Sequence, residues 1–253
     1  MTAIDLRDRV VLVTGGSSGI GAAAVRSLHA AGASVFFTFL NHESRAAALA
    51  RELGDRVDYR RYDLADHDSL PALVAECVKR FGRIDVLVNN AAIFSENAFT
   101  GRDYTKWREG WQHTFDVNIF GAAHLAWLVM HQMRAQGGGG KIINVASRAG
   151  HRGELTFADY GASKAALLNL TKSIARSCAP EGIVAVSVAP GFIETEMAAP
   201  DLASRRREIE NEIPLGYVGS AEDVAHVITF LASPLATYAN GATIDVNGGS
   251  YVR

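Results

Sequence analysis

Tyr160 and Lys164 stand four residues apart, a spacing that lets both side chains leave one face of a helix. A free phenol has a pKa of about 10 and is on the order of 0.1% ionised at neutral pH. A lysine charge about 5 Å away contributes roughly 3 kcal/mol at an effective dielectric of about 20, enough to lower that pKa by around two units. Such a tyrosine is a usable acid or base. Ser147 follows an apolar run just upstream and supplies a hydroxyl that could orient and polarise a carbonyl beside the phenol. The Tyr-x-x-x-Lys spacing alone is common on ordinary helices, so its meaning depends on what else converges with it.

A second motif, Thr14-Gly15-Gly16-Ser17-Ser18-Gly19-Ile20-Gly21, follows the first β-branched run. Glycines there let the chain turn tightly from strand to helix and let a pyrophosphate approach amides at the helix start, where the dipole favours negative charge. The spacing is GxxxGxG rather than GxGxxG, and no Gly-Lys-Ser/Thr follows, which disfavours a kinase-type P-loop.

The elements that must position these groups are legible as an alternation. Runs of strand length recur at Val10 to Val13, Ser34 to Phe39, Val57 to Tyr62, Ile84 to Val88, Lys141 to Val145, Ile183 to Val188 and Thr243 to Val246. Helical periodicity lies between them, clearest in Leu70, Leu73, Val74, Cys77, Val78 and Phe81. A long helix is expected from near Asp103, ended by the turn glycines Gly137 to Gly140, and another from Tyr160 to about Cys178. Strands alternating with helices predict an α/β fold with one parallel sheet covered on both faces. Ligands in such sheets bind outside the carboxyl ends of the strands. Five strand ends carry polar or glycine motifs: the Thr14 to Gly21 turn, Asp63-Leu64, Asn89-Asn90-Ala91-Ala92, Ser147, and Pro190-Gly191-Phe192-Ile193-Glu194-Thr195.

Composition bounds the rest. The 253 residues are 48% hydrophobic and 21% charged, a globular balance with no Pro- or Ser-rich linker, so one domain over 1–253 is expected. Twenty-five Lys and Arg against 27 Asp and Glu remove the main electrostatic reason to propose nucleic acid. Cys77 and Cys178 form no CxxC, and His124 and His131 lack a third ligand at suitable spacing, so neither a disulfide framework nor a metal site is expected. The first ten residues hold no apolar h-region, and the uncharged stretch Ala30 to His42 is too short to span a bilayer. A cytoplasmic protein without membrane partners is expected.

Together these residues resemble the short-chain dehydrogenase/reductase family over essentially the whole chain, with Asn118 and Asp245-Val-Asn-Gly-Gly249 adding to the motifs quoted. The resemblance implies a single-domain, Rossmann-like, doubly wound sheet of about seven strands, a nicotinamide cofactor, and hydride transfer between an alcohol and a carbonyl. It implies Tyr160 as the acid/base, with Lys164 lowering its pKa and donating to the nicotinamide ribose. Ser147 would hold the substrate oxygen, and Asn118, in a kinked part of the long helix, a water of the proton relay. The turn residues Gly15, Ser17, Ser18, Gly19, Ile20 and Gly21 would cradle the pyrophosphate. Asp63 and Leu64 would meet the adenine, and Asn90 and Ala91 the adenosine ribose. Pro190, Gly191, Ile193 and Thr195 would line the carboxamide and phosphates. Ala92 stands where the family usually has glycine, so a close approach there is altered.

An acid at the end of strand two commonly selects NAD by binding the ribose 2′-hydroxyl. Phe39 and Leu40 occupy that place, leaving Asn41, His42 and Arg45 for a 2′-phosphate, so NADP is favoured over NAD. Near the carbonyl site lie Arg148, His151, Arg152 and Glu154, and the Phe94 to Trp111 segment is longer than in many relatives; either a polar pocket or solvated loop charges would explain them. Glu196 to Leu215 resembles a substrate lid in which Arg205-Arg206-Arg207 would meet an acyl carrier protein or simply face water. The Pro190 to Met197 segment resembles 3-oxoacyl-acyl-carrier-protein reductases, and sugar or polyol dehydrogenases share most of it. A non-catalytic dinucleotide sensor is the alternative from another class, opposed by the intact catalytic set. A homotetramer is implied by resemblance only.

Overall fold

Seven strands, β1 (Val10–Val13), β2 (Ser34–Phe39), β3 (Val57–Arg61), β4 (Val86–Asn89), β5 (Gly140–Val145), β6 (Ile183–Pro190) and β7 (Thr243–Val246), form one sheet in the order β3-β2-β1-β4-β5-β6-β7. Every pairing is parallel. The computed structural model describes residues 4–252; positions 1–3 and 253 of the expected domain lie outside the described residues. The inner strands, buried on both faces, read as near-continuous apolar runs, whereas the half-exposed edge strands β3 and β7 were legible from their β-branched and aromatic residues. Alternate residues point to opposite faces: Val11, Val13 and Phe37 pack with helices α1 (Gly19–Ala30), α2 (Glu43–Leu53) and α8 (Ala221–Ala232), while Val10, Leu12 and Phe36 pack with α3 (Leu70–Phe81), α5 (Ala122–Ala135) and α6 (Ala158–Cys178).

Two expected elements are redrawn by their contacts. Strand β4 starts at Val86, because the Asp85 carboxylate ahead of it accepts from the Val10 backbone N–H at 2.9 Å and pairs with Arg9 and Arg83. The long helix is two helices, α4 (Tyr104–Phe115) and α5, joined by a π-helical turn over Asp116–Gly121. Asp103 caps α4 by accepting from the Lys106 N–H at 3.1 Å, satisfying one of the orphan donors of a helix start.

The glycine run is only partly turn. Gly137 has a φ of +77°, but Gly140 is the first residue of β5 and donates its N–H to Gly182 O at 3.2 Å. A Cβ on Gly139 would lie 2.0 Å from the Gly182 carbonyl oxygen, so that position is glycine for close backbone approach.

The order reverses between β1 and β4, opening a crevice beyond their carboxyl ends. Helix α7 (Ala199–Asn211), broken at Arg205, closes over that edge with its own small core of Leu202, Ile209, Ile213 and Val218. Among the described residues no helix is long and apolar enough to cross a membrane, and no group of three or more His, Cys, Asp or Glu could hold a metal ion. His124 meets His67 edge-on at 4.7 Å, and His131 packs on Trp127 at 3.9 Å.

Candidate active site

A cavity of about 900 Å³ occupies the crevice, and every expected cofactor residue from Gly15 to Thr195 lines it. At its β1 side the Thr14 hydroxyl accepts from the Asn90 and Ala91 backbone N–H groups, both at 3.0 Å. Asn90 Nδ2 returns two bonds, to Thr14 O at 2.9 Å and Gly15 O at 3.2 Å. Two turns from distant parts of the chain are thereby locked together. A Cβ on Gly21 would lie 2.1 Å from Gly15 O, so the turn closes only with glycine there. Helix α1 begins without a side-chain cap: Ser18 makes no capping hydrogen bond, and no acid sits in the first turn. Uncapped N–H groups facing a glycine-lined cradle fit the pyrophosphate of a dinucleotide.

At the β5 side, Ser147, Tyr160 and Lys164 line the same cavity. Ser147 Oγ accepts from the Ala149 N–H at 3.1 Å. Lys164 is 2% exposed, donates from Nζ to Val145 O at 2.8 Å, and lies 5.6 Å from the Tyr160 ring centroid. The electrostatics differ from the simple expectation of a lysine-lowered phenol. Burial pushes the Tyr160 phenol up to about 12, against the pull of its hydrogen bond with Ser147, with Glu154 adding to the rise. Burial also pulls Lys164 down to about 7. Desolvation is the largest cause of both shifts, because each group would carry its charge out of water.

Asn118 does not line the cavity. It is 1% exposed, its Oδ1 accepts from the Ile93 N–H at 2.9 Å, and its Nδ2 donates to Ile93 O and Ser163 Oγ, both at 3.1 Å. Its side chain therefore ties the π-turn to the β4 loop and to α6 at Ser163, the residue directly before Lys164. Sequence reasoning missed a second tie. Asp159 is buried and accepts from Thr114 Oγ1 at 2.8 Å, Asn97 Nδ2 at 3.2 Å and the Tyr160 N–H at 2.8 Å, so the helix start bearing the phenol is anchored to α4. An acid immediately before the tyrosine was the available signal.

At the end of β2, Asn41 and His42 line the cavity. Arg45 is instead hydrogen-bonded to Glu196 of the lid segment, and Arg61 donates to Leu40 O at 3.0 Å. The loop charges divide: Arg148, Arg152 and Glu154 line the cavity, whereas His151 stacks on Tyr251 at 5.6 Å and meets Asp245 at 3.8 Å. Trp107 and Trp111 pack with Phe99 outside it, though His113 reaches it. The lid arginines do not form one basic patch. Arg206 is held by Glu194 at 2.6 Å and Glu210 at 3.3 Å, and Arg205 lines the cavity.

A doubly wound sheet with a glycine-lined, uncapped helix start beside a serine, tyrosine and lysine defines a dinucleotide-dependent oxidoreductase. Comparison with known proteins agrees. A family model described as enoyl-(acyl carrier protein) reductase matches residues 15–251. The 3-oxoacyl-[acyl-carrier-protein] reductase of Aquifex aeolicus is 35% identical over 252 residues, covering 98% of this chain and 99% of its own. The acetoacetyl-CoA reductase of Rhizobium meliloti is 36% identical over 245 residues, covering 96% and 98%. A crystal structure of a short-chain dehydrogenase/reductase from Brucella melitensis, titled glucose/ribitol dehydrogenase, superposes with a TM-score of 0.91 at 32% identity, each chain covered completely. The chain belongs to the short-chain dehydrogenase/reductase family and is an NAD(P)-dependent oxidoreductase acting on the alcohol/carbonyl couple.

Proposed function

We propose that the enzyme reduces the 3-oxo group of an acyl thioester to a hydroxyl, with NADPH preferred. The observation that carries this reading is the convergence of Ser147, Tyr160 and Lys164 on the cavity that the α1 cradle opens into. The whole-length relatives named for 3-oxoacyl carrier-protein and acetoacetyl-CoA reduction support the substrate class. Gly15 to Gly21 hold the pyrophosphate, Asp63 and Leu64 the adenine, Asn90 and Ala91 its ribose, and Pro190, Gly191, Ile193 and Thr195 the nicotinamide end. The bound nicotinamide supplies the hydride. Ser147 Oγ–H and the Tyr160 phenol both donate to the substrate carbonyl oxygen, holding it and polarising it as negative charge develops. With its pKa raised to about 12, Tyr160 is protonated at neutral pH and so is loaded as an acid for the reducing direction. Lys164, titrating near 7, binds the nicotinamide ribose and is the adjacent group that can return a proton to the phenol. Asn118 acts through the π-turn, where its side chain fixes the Ile93 loop against α6.

A sugar or polyol substrate is the second reading, favoured by the charged cavity face that Asp201, Arg205, Glu208 and Glu212 of the lid segment present. Exposed Trp127 and Phe120 on the α5 side are consistent with a homotetramer, and a one-chain mass in solution scattering would overturn it. The decisive experiment assays acetoacetyl-CoA, aldoses and polyols with NADPH and NADH, in the wild type and Tyr160→Phe. Thioester reduction that falls about 10²- to 10⁴-fold in Tyr160→Phe, with NADPH binding retained, is expected. Sugar oxidation without thioester reduction would replace the substrate class, and wild-type rates in the variant would remove Tyr160 from the chemistry.

A further inference from the structure

Arg148 directly follows Ser147, and its environment is unusual for a guanidinium. It is 5% exposed, its nearest carboxylate is Glu212 at 4.0 Å, and Nη1 has no hydrogen-bond partner. The guanidinium carbon sits 4.8 Å from the centroid of the Phe192 ring. Arg148, Phe192 and Glu212 all line the cavity that holds Ser147 and Tyr160.

A buried cation with a donor unmet is costly, and native structures meet such groups with an anion or with hydrogen bonds. Glu212 is a poor permanent partner, because 4.0 Å is beyond hydrogen-bond reach and its side chain is 50% exposed. The ring of Phe192 braces one face of the guanidinium and leaves its edge, the fork that matches a carboxylate bidentately, for another group. Burial, the largest cause, and the neighbouring Arg152 charge work against the cation, while the Glu154 and Glu212 charges favour it only in part.

We propose that Arg148 binds a carboxylate carried by a substrate close to its reacting carbonyl, so that free oxo acids and the matching hydroxy acids are a further substrate class turned over at this site, beside the thioesters. The proposal rests on carbonyl reduction at Ser147 and Tyr160, not on the thioester, and adds a second class of molecule reduced there. Position sets this role apart from cofactor binding: Arg148 adjoins the serine that holds the substrate oxygen, whereas the pyrophosphate cradle belongs to the turn after β1. The substrate carboxylate takes the guanidinium edge that Glu212 approaches but does not engage, and Glu212 swings towards solvent from the end of the lid.

The test pairs each acid with its neutral amide: acetoacetate against acetoacetamide, and levulinate against levulinamide. Each is assayed with NADPH in the wild type, Arg148→Met, Arg148→Lys and Glu212→Gln. Thermal unfolding of the same proteins without cofactor, with and without each compound, reads binding separately from turnover, and NADPH fluorescence confirms that each variant is folded. A charge-assisted pair predicts that the acid is favoured in kcat/KM by about tenfold or more, that Arg148→Met removes the preference and that Arg148→Lys keeps part of it. Glu212→Gln keeps or increases it by removing a competing carboxylate. An acid-specific stabilisation of the cofactor-free protein that disappears in Arg148→Met upholds the site even where no test ketone turns over, in which case the oxidoreductase reading has failed separately. Equal use and equal binding of acid and amide by the wild type overturns the proposal. So does a loss in Arg148→Met and Glu212→Gln that is the same for acid and amide, since that is the behaviour of a lid latch.

Discussion

Thr14→Val isolates one hydroxyl on which the mouth of the site depends. Thr14 is fully buried, and its Oγ1 accepts from the N–H groups of Asn90 and Ala91, both at 3.0 Å. Valine matches the shape of threonine and accepts nothing, so two half-buried donors at the cavity wall lose their partners. Each stranded donor costs about 1–3 kcal/mol, which gives roughly 2–6 kcal/mol for the pair. At about 2–4 °C per kcal/mol for a chain of this size, the unfolding midpoint should fall by roughly 4–24 °C. Thr14→Ser keeps the acceptor and loses one buried methyl, about 1 kcal/mol, so it should remain near the wild type. Differential scanning fluorimetry and urea unfolding of the cofactor-free protein measure both variants. Because Asn90 and Ala91 line the cavity, Thr14→Val should also weaken NADPH binding, readable by fluorescence titration. A midpoint within 2 °C of wild type, or a serine variant as damaged as the valine variant, would refute the reasoning.

Two further outcomes test the electrostatics. Tyr160 has its pKa raised to about 12 in the cofactor-free site, so it stays protonated well above neutrality, and the 295 nm absorbance difference between wild type and Tyr160→Phe should show no step from pH 6 to 10. A step near pH 8 would restore the picture of a phenol governed by the lysine charge. Glu196→Gln should release Arg45, whose pairing with Glu196 holds it away from the end of β2, and lower the KM for NADPH by roughly threefold to tenfold while leaving NADH unchanged. Equal effects on both cofactors would show that Arg45 does not read the 2′-phosphate.

The inner strands were readable because a sheet covered on both faces favours apolar residues at nearly every position, and the edge strands β3 and β7 because β-branched and aromatic residues mark them, local signals that do not depend on which strand lies beside which. The site was readable at the strand ends for a similar reason: glycines, a serine and a tyrosine-lysine pair interrupt those runs wherever the chain leaves the sheet. The misjudged points are long-range ones. Ser147, Tyr160 and Lys164 came from spacing, but the pKa order of the pair follows from burial, which no spacing reports. Asn118 was placed on the correct helix, yet its amide is consumed by Ile93 and Ser163, and the π-turn bearing it has no marker in the periodicity. Arg45 was a reasonable phosphate ligand by position, and only the fold brings Glu196 onto it from 151 residues away.

By itself the sequence determined a parallel α/β sheet, the edge at which ligands bind, and the residue types that meet there, because these follow from periodicity and from the chemistry of short motifs. The tertiary structure alone decided how charged those residues are and which remain available. It buried the lysine, half-buried the tyrosine, spent the asparagine on a structural tie, turned His151 away from the cavity, and left Arg148 inside it with a donor unmet. Desolvation and hydrogen-bond partnership are properties of neighbours, and neighbours here come from segments tens to hundreds of residues apart.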